Sequence, residues 1–120
     1  MYKFSLKQIV VIIALITAES IAQSCIENGV TDKYKFLSKN ASILAGMITY
    51  SFVAYIYYLL IKTITRDNKG ENALNIANSI WNVGIQISIA VISWAVFNQS
   101  MTIKNWLGLA LMSLGLTLVM

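Results

Sequence analysis

Residues 6 to 26 read LKQIVVIIALITAESIAQSCI, an apolar run with a single charge in its interior, Glu19. A helix that crosses a bilayer needs about 20 mostly apolar residues, and this run has that length. Its apolar residues are continuous rather than alternating, so it reads as a spanning helix and not as a lipid-facing barrel strand. A secretory leader would share its basic start, Lys3 and Lys7, and Ala22-Gln23-Ser24-Cys25 resembles a lipoprotein-type processing site. The run is too long for that reading, and Glu19 sits badly in it.

Working outward, three more runs follow: Ala41 to Ile61 and Ala73 to Phe97, both without charge, and Ile103 to Met120 with Lys104 at its start. The loops between them, Glu27–Asn40, Lys62–Asn72 and Asn98–Thr102, hold nearly all the remaining charges. Turn signals are expected at Asn28-Gly29 and Asn68-Lys69-Gly70. The expected fold is an all-α membrane protein, a single four-transmembrane-helix bundle over residues 1–120. Its spans lie at about 6–26, 41–61, 73–97 and 103–120.

Composition agrees. Charged residues make up 12% of the 120, about half the share of a soluble domain, and hydrophobic residues 58%. With no histidine and one cysteine, Cys25, the usual ligand sets for zinc or haem cannot be assembled, and no cofactor is expected. The net charge of +4 is spread over the polar segments rather than clustered, which argues against a nucleic-acid partner. No catalytic histidine, nucleophile–base pair or phosphate-cradling glycine loop is present, so no enzyme is expected.

Topology is weakly instructed. With four spans, Lys3, Lys7, Lys62, Arg66 and Lys69 share one side, five charges, against four on the other, Lys33, Lys35, Lys39 and Lys104. The positive-inside rule gives almost no preference at a difference of one. Dual topology and an antiparallel homodimer are therefore expected.

Within the spans, Glu19 lies three residues from the middle of its run, about 4–5 Å off centre. An acid at such depth costs roughly 2.5–3.5 kcal/mol to insert, and such groups face a bundle interior or a watery cavity and commonly mark a transport path. A carboxyl there can hold a proton or a cation but not both comfortably, which is the minimal machinery of exchange. The competing reading is a protonated acid acting only as interhelical glue. Gln23 follows one turn later on the same face, and Ala14, Ala18 and Ala22 form a small-residue stripe. In the third run Asn75, Asn78, Ser79, Asn82, Gln86 and Ser93 trace one helical face. Opposite a buried Glu19, that face suggests a hydrated chamber between the first three helices. Tyr50, Tyr55, Tyr57 and Tyr58 enrich the second run; Tyr50 suits an organic cation, while Tyr57 and Tyr58 suit an interfacial belt. Gly108 and Gly115, two turns apart, read as a helix-packing face, expected to be the dimer interface.

Taken in order, these residues resemble the small multidrug resistance family of the drug/metabolite transporter superfamily. Leu15-Ile16-Thr17-Ala18-Glu19 looks like its first-helix motif ending in an essential glutamate, and Tyr50 like its second-helix tyrosine. Ile80-Trp81, Ser93-Trp94, Phe97 and Gln99 resemble its third-helix pattern, and Gly108 with Gly115 its fourth-helix glycine face. The chain departs from that pattern at Asn78, where the family has tyrosine, at Val83-Gly84-Ile85 in place of a glycine-x-glycine kink, and at Glu27 in place of a lysine. The resemblance implies an antiparallel homodimer with one Glu19 from each copy in a shared chamber. Trp81 would line that chamber and Tyr50 frame it, with Asn78 and Asn82 shaping the pocket. Protons and small organic cations (quaternary ammonium, guanidinium or polyamine-like) would compete for the glutamates by alternating access. Loss of the tyrosine at Asn78 points to a more polar substrate than a polyaromatic drug. The alternatives are a non-transporting structural or assembly protein of an envelope, and a relative of the lipid-linked sugar flippases. The expected location is a bacterial inner membrane, with a viral or organellar membrane as the alternative. Isoleucine-, asparagine- and lysine-rich usage fits an AT-rich genome of either source.

Overall fold

The computed structural model describes residues 3–35, 37–67 and 73–119; at Asp67 and Ala73 it describes the backbone alone. The described chain is all-helical: α1 is Leu6–Thr31, α2 Lys39–Asp67, α3 Ala73–Ala95 and α4 Ile103–Val119. The first three are long and apolar enough to cross a membrane. The fourth is apolar but has 17 residues, about 25 Å of helix against a hydrocarbon core of about 30 Å. The expected turn at Asn68-Lys69-Gly70 and the last residue of the fourth run, Met120, lie outside the described residues.

Local chemistry sets the ends. Ser5 caps α1 with a reciprocal pair: the Gln8 backbone N–H donates to the Ser5 hydroxyl at 3.2 Å, and the Ser5 N–H donates to the Gln8 side chain at 3.0 Å. At the other end Asp32 takes the left-handed conformation (φ 53°), and its N–H closes on the Asn28 carbonyl at 2.8 Å. Ser38 accepts from the Ala41 N–H at 3.2 Å at the start of α2, and Thr102 accepts from the Asn105 N–H at 3.3 Å at the start of α4. The chain leaves α3 through Asn98, also left-handed (φ 55°), with the Gln99 N–H reaching the Ser93 carbonyl at 2.8 Å.

One expectation is corrected here. Asn28-Gly29 is not a turn. Both residues are helical and buried within α1, which leaves only residues 32–38 for the first loop. Packing overrides the local turn signal. A Cβ on Gly29 would come within 2.5 Å of the Ile43 side chain and 3.2 Å of the Lys39 carbonyl. Gly46 of α2 repeats the device, where a Cβ would meet Ile26 at 2.6 Å and the Ala22 carbonyl at 2.9 Å. These two glycines let α1 and α2 pack as close antiparallel neighbours.

The interior forms where α1, α2 and α3 meet. Ile12, Leu15, Val53, Leu60, Ile64, Ile76 and Ala77 are buried together, with Ile16, Tyr50, Tyr57 and Trp81 packed on them. Most other large apolar side chains point outward, among them Ile9, Ile13, Ile21, Leu44, Phe52, Leu111 and Leu114. That distribution suits an apolar solvent, since water-soluble monomers rarely expose such continuous apolar surface. The molecule measures 47 × 34 × 19 Å. At about 10 Å per helix, its thinnest direction is two helices deep.

Candidate functional site

Glu19 is buried, at 7% exposure, on the α1 face that also carries Ile12 and Leu15. Gln23, one turn on, donates through Nε2 to Glu19 Oε1 at 2.9 Å. The second carboxyl oxygen, Oε2, is buried and has no hydrogen-bond partner among the described residues. Glu19 and Gln23 therefore share one face as expected, and the structure adds a hydrogen bond between them that leaves half of the carboxyl unsatisfied.

The antiparallel register brings α2 alongside. Gly46 lies against Ala22, and Ser42 receives a hydrogen bond from Asn28 at 3.1 Å, so Tyr50 comes level with Glu19. Tyr50 is within electrostatic reach of both Glu19 and Gln23. Glu19, Gln23 and Tyr50 thus form one polar cluster from two helices, Glu19 buried and the other two half-buried.

The third helix runs parallel to α1. A Cβ on Gly84 would meet Ile16 at 2.5 Å, and the Ser20 and Ser88 hydroxyls are 2.7 Å apart. Gly84 therefore serves close packing of α3 on α1. Continuing that register places Trp81 level with Ile13, about 9 Å along the bundle from Glu19. The Trp81 ring packs on Tyr57, with centroids 4.5 Å apart. Trp81 Nε1 is buried and, like Glu19 Oε2, has no partner among the described residues. Buried polar atoms are almost always paired, so two such orphans in one three-helix interior call for a cause. Tyr57, expected in an interfacial belt, is instead half-buried against Trp81; Tyr58 is exposed, with Lys62 Nζ 5.9 Å from its ring centre.

The polar stripe of α3 is coherent but points elsewhere. Asn75, Asn78, Asn82 and Gln86 are exposed on the outside of the chain rather than turned toward Glu19. The expected chamber between the first three helices is not what this single chain forms around Glu19. A cavity of about 60 Å³ begins one turn away, lined by Gln23, Ser24, Glu27, Ile89 and Ser93 among others, with room for water but not for an organic cation. Gly108 and Gly115 face open space, with nothing within 4 Å of where a Cβ would stand. Among the described residues α4 touches only α3 and buries none of its side chains.

Sequence reasoning missed a polar knot at the far end of α1. The Asn28 side chain donates to the Tyr34 carbonyl at 3.0 Å and accepts from the Tyr34 N–H at 2.8 Å. Lys33 Nζ and the Tyr34 hydroxyl both donate to the Val96 carbonyl, at 2.8 and 2.9 Å, and Gln99 donates to Glu27 at 2.6 Å. These bonds tie the first loop to the end of α3. Reading Asn28 as a turn residue hid them, because a turn asparagine bonds its own backbone whereas this one reaches six residues along the chain.

Compared with protein-family models, curated proteins and solved structures, the chain matches none of them.

Proposed function

We propose that the protein is a multi-pass membrane exporter that exchanges protons for small organic cations, working as an antiparallel homodimer with Glu19 of each copy as the shared proton and cation site. One observation carries the reading: a buried carboxyl, in a helix apolar enough to cross a membrane, with one oxygen held by Gln23 and the other unpaired. An unpaired carboxyl oxygen in hydrocarbon is costly and is usually kept for a task. Tyr50 beside it and the Trp81–Tyr57 pair further along supply aromatic faces of the kind that attract organic cations. The resemblance to the small multidrug resistance family supports the same assignment.

The exposed faces support a second copy. Amide side chains in hydrocarbon need partners, and Asn75, Asn78, Asn82 and Gln86 have none among the described residues. A molecule two helices deep cannot surround a substrate, whereas a second copy over α3 could close a chamber. In this reading α4 supplies the dimer contact around Gly115, Gly108 lying in the groove beside α3, and a nearly balanced charge count allows the copies to insert in opposite senses.

The non-transporting scaffold remains the second reading, favoured by one specific observation. Within the chain, Glu19 is packed between helices beside Tyr50 of α2, where a protonated acid would serve as interhelical glue. Proton-coupled currents in proteoliposomes separate the two. Quaternary ammonium, guanidinium and polyamine panels should give a current with at least one cation class, falling to background in Glu19→Gln. No current from any cation, with Glu19→Gln folding normally, would leave the scaffold.

A further inference from the structure

Between α3 and α4 lies a cavity of about 320 Å³, lined by Gln86, Ser93, Lys104, Asn105, Gly108 and Met112 with apolar neighbours. Polar side chains lie at both of its ends, and apolar ones between them. Lys104, Asn105 and Ser93 ring the end where α3 finishes and α4 begins. From there Ala90, Gly108, Leu109 and Met112 continue for about two turns, roughly 12 Å, down an open and mostly apolar trough, with the Gln86 amide at its far end. The trough exists because Gly108 has no side chain and nothing stands within 4 Å of where a Cβ would be.

Lys104 is exposed and forms no ion pair among the described residues. The two described acids at that end are engaged elsewhere: Glu27 accepts from Gln99 at 2.6 Å, and Asp32 pairs with Lys35 at 2.6 Å. A lone ammonium at the rim of an elongated apolar trough is complementary to an amphiphile with an anionic head. With α4 in the bilayer, a lysine in its first turn extends its ammonium to the headgroup level.

We propose that this groove binds an anionic phospholipid, its phosphate held by Lys104 and the Asn105 amide and one acyl chain lying along Gly108 and Met112. The site rests on the membrane reading and not on transport. If the wild-type chain stayed dispersed in water without detergent, the membrane reading itself would fall, and that check is independent of lipid choice.

The test is native mass spectrometry of the full chain in nonionic micelles, offered phosphatidylglycerol, phosphatidylcholine with the same acyl chains, or inorganic phosphate. Adducts are counted separately on monomer and dimer. The wild type should retain phosphatidylglycerol about fivefold over phosphatidylcholine, the factor expected for one interfacial lysine. Lys104→Gln should erase that preference, Gly108→Leu should reduce retention of both lipids, and inorganic phosphate should leave no adduct. Equal retention of the two lipids by the wild type would overturn the site, as would an unchanged preference in Lys104→Gln. A phosphate adduct matching the lipid's would mean that the head alone is recognised and would remove the lipid assignment. Undiminished lipid adducts in Gly108→Leu, with loss of dimer, would make the groove an interface between copies instead.

Discussion

The two glycine pairs of this chain sit in opposite circumstances. Gly29 and Gly46 are wedged between α1 and α2, where an added methyl group would press within 3.2 and 2.9 Å of backbone carbonyls. Gly108 and Gly115 stand on α4 with nothing near them. The first pair completes a contact inside the chain. The second leaves a smooth surface on a helix that, among the described residues, touches a single neighbour and buries no side chain. One half of the molecule is therefore finished by its own residues, and the other presents the features of a contact yet to be made.

The largest expected effect breaks the finished half. Gly46→Leu forces a side chain against the Ala22 carbonyl, which cannot yield as a flexible side chain can, and should cost about 3 kcal/mol. Thermal unfolding in micelles should drop accordingly. Gly115→Leu should leave the unfolding of the monomer within about 0.5 kcal/mol, because the position is open, while lowering the cross-linked dimer fraction severalfold. If the two substitutions destabilised the monomer equally, the contrast would be lost. A smaller effect sharpens the reading of the exposed α3 face. Asn82→Leu should reduce cation transport a fewfold with unfolding unchanged if that face meets a second copy. Unchanged transport with improved stability would place Asn82 against lipid.

How much of this was legible beforehand differs by residue for physical reasons. The apolar runs gave the helices to within a few residues, except that α2 continues six residues past Ile61 to Asp67 and that packing extends another helix through a turn signal. Asn28-Gly29 is that case, since only the α2 surface reveals that glycine is needed for close approach. The face shared by Glu19 and Gln23 was readable because it depends on spacing within one helix. Tyr50 beside Glu19 was readable only as similar depth, and Trp81 on Tyr57 not at all, because both depend on the register between helices. The α3 stripe illustrates the limit most clearly. Periodicity established that Asn75, Asn78, Asn82 and Gln86 share a face, and it said nothing about which way that face turns. The structure turns it outward, so any chamber involving it needs a surface from beyond this chain.

The proposed function rests on Glu19. Proton release from the micelle-solubilised protein on addition of a quaternary ammonium or guanidinium ion tests its role most directly. The wild type should release protons as the cation displaces them, and Glu19→Gln should release none. Equal release from both proteins, or silence from the wild type across every cation, would contradict a shared proton and cation site.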